Sequence, residues 1–185
     1  ADADDFLSAG DLDGDGWIDL IATDAGNTVA VYRNLGAGGD LTTASFASKF
    51  TLTGAGNRVA TKAIDLDGDG KLDIATGYYT DDFNTGFATY RNISTPGNLA
   101  FEPVEKWEGL AYSAILSAVI DVDGDGRADL IGRGTSGSVA VDFWVAQNIS
   151  NPGNIEFGGS RSYFGNAING LNPVTFADLD NDGKG

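Results

Sequence analysis

The 185-residue sequence contains no cysteine, no histidine and no methionine. Without cysteine there is no disulfide framework and no thiol nucleophile. Without histidine there is no histidine-based catalytic triad, and the usual ligand set for zinc is missing. Any chemistry of this chain therefore depends on carboxylates, hydroxyls, lysine, arginine or a hard metal ion.

Positive charge is also scarce, because 11 Lys and Arg stand against 27 Asp and Glu, giving a formal net charge of −16. A chain this acidic repels the phosphate backbone, so we expect no nucleic-acid partner and favour cations instead. The sequence has no run of about 18 apolar residues, and we therefore expect no membrane span.

One acidic phrase occurs four times, beginning at residues 11, 65, 121 and 178, which are 54, 56 and 57 residues apart. The complete copies read DLDGDGWID, DLDGDGKLD and DVDGDGRAD, and the last copy reads DLDNDGKG. The triplets YRN, YRN and AQN, at 32–34, 90–92 and 146–148, keep the same step. The sequence thus predicts repeats at about 6–57, 58–113 and 114–171, with an incomplete repeat at 172–185.

Each repeat has the pattern of four short strands, because β-branched and aromatic residues lie between Gly, Pro and Asn turns and no 3.6-residue period is present. The predicted first strands are 6–10, 59–64, 115–120 and 174–177; the second are 18–23, 72–76 and 128–132; the third are 29–32, 87–90 and 139–145; the fourth are 45–52, 101–107 and 157–163.

Four strands in about 55 residues are typical of a propeller blade, which buries its faces only against neighbouring blades. We predict an all-β fold, a β-propeller present as three blades plus the first strand of a fourth. Since a closed ring needs about 4 to 8 blades, the chain is expected to be a fragment of a larger ring. The alternative is self-association of copies to complete the ring.

The acidic phrase has Asp at positions 1, 3, 5 and 9, Gly at position 6 and a variable residue at position 7. A position that contributes only its main-chain carbonyl tolerates any side chain, and alternating carboxylates with one carbonyl form the oxygen cage that Ca²⁺ prefers. An EF-hand needs Glu at position 12, where this chain has Ala22, Thr76 and Gly132. The phrase therefore predicts a calcium loop between two strands.

These phrases resemble the FG-GAP/VCBS repeat of integrin α-subunit-type calcium-binding β-propellers. The resemblance implies three full Ca²⁺ sites and a weak fourth site that lacks its position-9 Asp. The implied ligands are Asp11, Asp13, Asp15, the Trp17 carbonyl and Asp19; Asp65, Asp67, Asp69, the Lys71 carbonyl and Asp73; Asp121, Asp123, Asp125, the Arg127 carbonyl and Asp129; and Asp178, Asp180, Asp182 and the Lys184 carbonyl.

Calcium held in this way is expected to stabilise the fold rather than to catalyse, because a saturated cage leaves no open position for a substrate. Extracellular modules bind calcium in the millimolar range, which favours a secreted or cell-surface protein for adhesion or recognition of a glycan or protein ligand. Two alternatives stay open: part of a secreted polysaccharide lyase or hydrolase, and a calcium-dependent matrix or filament subunit.

A candidate ligand-binding surface lies in the loops opposite the calcium loops, at 77–84 and 107–112. Exposed aromatic residues often mediate recognition, and the alternative is that these rings pack between blades. The candidate residues are Tyr78, Tyr79, Phe83, Trp107 and Tyr112.

The sequence also contains two N-glycosylation sequons, at 92–94 and 148–150. Their equivalent places in the repeat favour a turn at the end of a strand over a glycan acceptor.

Overall fold

The computed structural model describes residues 7–23, 28–55, 57–79, 85–108, 115–135, 141–158 and 162–168. Within these ranges the chain forms three four-stranded antiparallel sheets, and neighbouring strands in each sheet are consecutive in the chain. The strands are β1 Leu7–Gly10, β2 Asp19–Thr23, β3 Val29–Tyr32 and β4 Phe50–Leu52; β5 Asn57–Ile64, β6 Asp73–Tyr79, β7 Thr85–Tyr90 and β8 Glu105–Glu108; and β9 Ile115–Ile120, β10 Asp129–Thr135, β11 Val141–Ala146 and β12 Ser162–Ile168.

This architecture confirms the predicted all-β fold of blade-like sheets, which we call units 1, 2 and 3 in chain order. The first strand of each sheet stacks on its neighbours, because β5 contacts β1 and β2 while β9 contacts β5 and β6. Among the described residues the sheets do not close a ring. The strand predicted at 174–177 and the repeat at 172–185 lie outside the described residues.

The fourth strands begin later than the sequence predicted, at Phe50, Glu105 and Ser162 rather than at 45, 101 and 157. Ahead of each strand the chain makes one isolated bridge to an asparagine: Asn34 to Phe46, Asn92 to Phe101 and Asn148 to Phe157. The backbone N–H of each asparagine donates to an aspartate carboxylate. That N–H points away from the fourth strand, since the bridge of unit 1 is made by the neighbouring residues: Leu35 N–H donates to the Ser45 carbonyl and Ala47 N–H to the Arg33 carbonyl. Between bridge and strand, the fourth strand of units 1 and 2 has one residue more than the third, and this bulge interrupts the ladder.

Unit 2 is apolar on both faces of its sheet. Ile74 and Tyr78 of β6 pack with side chains of unit 1, whereas Phe87 of β7 packs with side chains of unit 3. The Phe87 ring stacks on Trp107 of its own sheet at 5.9 Å and on Trp144 of unit 3 at 5.7 Å. Since truncating a core aromatic to alanine costs about 3–5 kcal/mol, the contact between units 2 and 3 depends strongly on this aromatic stack.

Each predicted calcium loop joins the first two strands of its sheet at the same edge. The last residue of the first strand pairs with the Asp at position 9 in every unit: Gly10 with Asp19, Ile64 with Asp73 and Ile120 with Asp129. The repeated register therefore puts three similar acidic loops at equivalent places, which we call loop 1 (residues 11–19), loop 2 (65–73) and loop 3 (121–129).

Candidate metal centres

The first aspartate of loop 1 determines how the loop turns. The two carboxylate oxygens of Asp11 accept backbone N–H groups, with Oδ1 2.8 Å from the nitrogen of Gly14 and Oδ2 2.8 Å from that of Gly16. Both glycines have positive φ angles, of 73° and 90°, which residues with a Cβ atom rarely adopt. The tight turn therefore requires the Gly residues of the phrase and leaves the other carboxylates directed at one region.

The same turn recurs in loops 2 and 3. Asp65 accepts N–H groups from Gly68 at 2.8 Å and Gly70 at 2.9 Å, and Asp121 accepts them from Gly124 and Gly126 at 2.7 and 2.8 Å. The three loops thus have one backbone design, as expected from their common sequence.

The position-9 aspartate ends each loop at the start of the second strand and is buried. In loop 1 the carboxylate of Asp19 accepts N–H groups from Leu12 at 2.9 Å and Asn34 at 2.8 Å. Burial raises the pKa of Asp19, the two backbone hydrogen bonds partly offset that effect, and the charges of Asp13 and Asp15 raise the pKa further.

The same causes act on the position-9 residues of the other loops. Burial, together with the neighbouring charges of Asp67 and Asp69, raises the pKa of Asp73 to about 6, against the hydrogen bonds from Asn92 and Leu66. The pKa of Asp129 is also raised, again mainly by burial. Each loop therefore holds a buried carboxylate whose charge is disfavoured unless a cation compensates it.

Three of the predicted carboxylates in each loop have oxygen atoms within 4.8 Å of one another. The sets are Asp11, Asp13 and Asp15; Asp65, Asp67 and Asp73; and Asp121, Asp123 and Asp129. Asp19, Asp69 and Asp125 lie in the same loops but outside those sets. An all-oxygen, carboxylate-rich donor set fits a hard cation such as Ca²⁺, so the residues present could hold a metal ion.

The position-3 aspartates of loops 1 and 2 are also contacted from the following unit. Asp13 Oδ2 accepts the N–H of Gly97 at 2.9 Å, and Asp67 Oδ2 accepts that of Gly153 at 2.8 Å. Gly97 and Gly153 belong to the Pro-Gly-Asn turns of units 2 and 3, which the sequence suggested only as turn signals. Each turn therefore covers the loop of the preceding unit.

Basic side chains from the recurring triplets lie against the same carboxylates. Arg91 Nε is 2.6 Å from Asp67 Oδ2 and Arg91 Nη2 is 2.9 Å from Asp69 Oδ2. Burial alone would raise the pKa of Asp67, but the hydrogen bonds from Arg91 and Gly153 hold that pKa below its usual value. In unit 1 Arg33 lies farther from Asp13 Oδ2, at 3.7 Å.

Unit 3 has an amide where the other units have a guanidinium, because Gln147 Nε2 donates to Asp123 Oδ2. Sequence reasoning missed the role of Arg33, Arg91 and Gln147. The available signal was that these residues recur at the same step as the acidic phrase.

The position-7 residues meet the expectation of variable side chains. Their N–H groups donate to the position-5 carboxylates at 2.8–3.0 Å, while their side chains take different paths. Trp17 is 47% exposed and lies against Gly36, Lys71 Nζ donates to the Ser94 carbonyl at 2.9 Å, and Arg127 pairs with Asp125. The assignment of the three carbonyls as ligands stays a prediction.

The fourth predicted set, Asp178, Asp180, Asp182 and Lys184, lies outside the described residues, and its weak binding stays a prediction.

The candidate ligand-binding residues have mixed positions. Tyr78 is fully buried against unit 1, and Trp107 packs on Phe87 and Phe157. These two residues therefore pack between units, which was the alternative to a ligand-binding role. Tyr79 ends β6, but its side chain is not described. Phe83 and Tyr112 lie outside the described residues.

The two sequon asparagines are fully buried. The side-chain amide Nδ2 of each donates to two main-chain carbonyls. Asn92 donates to Leu12 and Leu72, and Asn148 donates to Leu66 and Ala128. Both asparagines therefore have a structural role at the end of a strand, as the sequence favoured. Each also donates a hydrogen bond to the preceding unit.

A family model of the FG-GAP-like repeat matches residues 11–76, which run from loop 1 through loop 2. This stretch is therefore similar to FG-GAP-like repeats, which confirms the resemblance inferred from the acidic phrase. A search of curated proteins gives no match to the chain. In the described part of the chain, no helix is long and apolar enough to cross a membrane.

Proposed function

We propose that this chain is a calcium-stabilised β-propeller module that acts outside the cell in adhesion or in recognition of a glycan or protein ligand. The observation that carries the proposal is the recurrence of one carboxylate cluster at the same sheet edge in three successive units. In this proposal the repeats at 6–57, 58–113 and 114–171 are the blades.

The case for a bound cation is electrostatic. Carboxylate oxygens within 4.8 Å of one another repel by about 3–4 kcal/mol for each pair of full charges at an effective dielectric constant near 20. A bound Ca²⁺ supplies the compensating charge, and the flexible coordination that calcium accepts suits these loops better than the strict octahedron of Mg²⁺. Position-1, -3, -5 and -9 aspartates would hold the ion with the position-7 carbonyl.

A cation held by these aspartates would stabilise the folded chain. A cation that binds the folded loops and not the unfolded chain adds to the free energy of unfolding. More than half of the chain's 27 acidic residues lie in the four acidic phrases, so the extreme negative charge follows from these sites. The millimolar calcium of extracellular fluid would keep such loops occupied, which supports a secreted or cell-surface location.

For ligand recognition we propose the edge opposite the acidic loops, where β6 joins β7 and where β8 leads to β9. Antiparallel order puts both connections at the side of the sheet opposite loop 2, one at the end of β6 and the other at the end of β8. Since Tyr78 and Trp107 are packed in the core, the proposal rests on the remaining aromatic residues of these connections, Tyr79, Phe83 and Tyr112.

Calcium titration tests the stabilising role. We expect calorimetry to find three binding sites, and we expect 10 mM CaCl₂ to raise the melting temperature by about 10 °C or more relative to EDTA. MgCl₂ at the same concentration serves as the control and should give a clearly smaller shift. Equal melting temperatures in calcium and EDTA would contradict the proposal.

Binding to glycan and protein arrays tests the recognition role. We expect calcium-dependent binding that is lost in the Tyr79→Ala/Phe83→Ala variant, with Ile93→Ala as the control because Ile93 is an exposed apolar residue next to the acidic loops. Unchanged binding by the double variant would exclude this surface, and release of products from polysaccharides would favour the lyase or hydrolase alternative.

A further inference from the structure

Loops 1 and 2 are joined by a short path of hydrogen bonds. The backbone N–H of Asn92 is 2.8 Å from Oδ1 of Asp73 in its own unit, and its Nδ2 is 2.7 Å from the carbonyl oxygen of Leu12 in the preceding unit. The N–H of Leu12 is in turn 2.9 Å from Oδ2 of Asp19. Two residues therefore connect the position-9 carboxylate of loop 1 with that of loop 2.

The same path continues from loop 2 to loop 3. The N–H of Asn148 donates to Asp129 Oδ1 at 2.8 Å, and its Nδ2 donates to the Leu66 carbonyl at 2.8 Å. The N–H of Leu66 donates to Asp73 Oδ2 at 2.9 Å. Asp73 thus takes part in both connections, one through each carboxylate oxygen.

All members of the path are buried: Asp19, Leu12, Asn92, Asp73, Leu66, Asn148 and Asp129. In such surroundings a hydrogen bond is stronger than in water, and an unmade one is costly. The orientation of each asparagine is also constrained from its own unit, because its amide oxygen accepts the N–H of Ser94 or Ser150 at 2.8 or 2.9 Å. A shift at one end of the path is therefore resisted along its length.

Unit 1 provides an internal comparison. Asn34 occupies the place of Asn92 and Asn148, and its backbone N–H donates to Asp19. Its Nδ2 donates to the Ile18 carbonyl of its own unit at 3.1 Å, and among the described residues its hydrogen bonds all stay within unit 1.

We propose that Asn92 and Asn148 are positioning residues that couple neighbouring cation loops, so that binding of a cation to one loop strengthens binding to the next. This inference rests on the proposed binding of calcium. A cation in loop 1 orders Asp19 and, through Leu12, the amide of Asn92. The same asparagine then holds Asp73 in the orientation that loop 2 needs, and the coupling free energy is reciprocal.

Trp17 offers a readout for loop 1 alone, because it is the only tryptophan in the three acidic loops. Terbium replaces calcium in oxygen cages and emits when a nearby indole is excited. Tryptophan-sensitised terbium luminescence on the full chain therefore measures the affinity of loop 1, and the signal lost in Trp17→Phe defines the contribution of that loop.

The decisive experiment weakens loop 2 and measures loop 1. Asp69→Ala removes a predicted ligand of loop 2 that is not a member of the hydrogen-bond path, and calorimetry should show one calcium site fewer. We expect this change to reduce the terbium affinity of loop 1 about tenfold, within the usual range of coupling between sites. In an Asn92→Ala background the same change should have an effect of less than about twofold, since the path is broken.

Asn34→Ala is the matched control, because it makes the same chemical change and leaves the path intact. In its background Asp69→Ala should still reduce the affinity of loop 1 about tenfold. If Asn92→Ala does not fold in EDTA, the single variant Asp69→Ala still tests the coupling. Unchanged affinity of loop 1 in that variant overturns the inference, as does an equal loss with and without Asn92. Absence of any calcium or terbium binding to the unaltered chain instead overturns the proposed function itself.

Discussion

Loops 2 and 3 have nearly the same sequence but different surroundings. In loop 2 the position-3 residue Asp67 is only 3% exposed, because Gly153 of the next unit and Arg91 of its own unit both donate to it. In loop 3 the corresponding Asp123 is exposed, and Gln147 of its own unit donates to it. The comparison shows that loops with the same aspartates at positions 1, 3, 5 and 9 acquire different electrostatic environments from the residues around them.

Removal of the position-3 carboxylate should produce the largest difference between the two loops. In EDTA, Asp67→Ala leaves Arg91 Nε and the Gly153 N–H without their acceptor, while Arg91 keeps its contacts with Asp69 and Glu102. We expect a loss of about 2–3 kcal/mol, or about 5–10 °C in melting temperature. Asp123→Ala should cost less than about 1 kcal/mol because that side chain is exposed.

Chemical denaturation of both variants in EDTA measures this difference. The Asp→Asn changes at the same two positions are the control, because they keep the size of the side chain. Equal losses for Asp67→Ala and Asp123→Ala would show that the contact with the next unit has no energetic weight.

Acidification should change the melting temperature by a smaller amount, and the sign of the change should differ with and without calcium. The pKa of Asp73 in the folded chain, about 6, lies above the value of about 3.9 for an unfolded aspartate. The folded, metal-free chain therefore takes up a proton first, and its stability is greatest at low pH and falls as the pH rises through 6. We expect the melting temperature in EDTA to be about 3 °C higher at pH 5 than at pH 7.5.

With calcium present the order should reverse, because protons compete with the cation for the same carboxylate. Thermal scans at pH 5 and 7.5, with 10 mM CaCl₂ or EDTA, measure both signs. The Asp73→Asn variant should have a weaker pH dependence in EDTA, with the remainder supplied by Asp19 and Asp129, whose pKa values are also raised. An unchanged slope in that variant would assign the effect to groups other than Asp73.

Exchange of the triplet residues should have the smallest effect. A guanidinium beside Asp67 and Asp69 reduces the attraction of loop 2 for a cation, so Arg91→Gln should raise the calcium affinity of that loop about threefold, as expected for one charge several ångströms away in high dielectric. Gln147→Arg should lower the affinity of loop 3 by a similar factor. Site-resolved calcium titration measures both, and changes in the same direction would contradict this explanation.

Much of the fold was predictable from local patterns. The three acidic phrases, their spacing and the β-branched runs beside them predicted four-stranded units, and β3 and β9 have the predicted bounds. The starts of β4, β8 and β12 were wrong because the register between the third and fourth strands changes between the isolated bridge and the regular ladder. Such a change depends on how two strands pair and is not visible in a single strand's sequence.

The candidate site was predictable in its residue types and less so in its connections. The clustering of the position-1 and position-3 aspartates follows from loop geometry, which a nine-residue phrase encodes on its own. The contacts of Gly97, Gly153, Asn92 and Asn148 join residues 80 to 86 positions apart. Sequence reasoning identified these residues only as turn markers and sequons.

The sequence by itself determined the acidic loops, their oxygen-only chemistry and the repeat that places one in every unit, because these depend on residues close together in the chain. Only the tertiary structure decided which carboxylates are buried, which are paired with arginine and which are covered by the next unit. Burial and long-range hydrogen bonds depend on how the sheets stack, and stacking brings together residues that no local pattern connects.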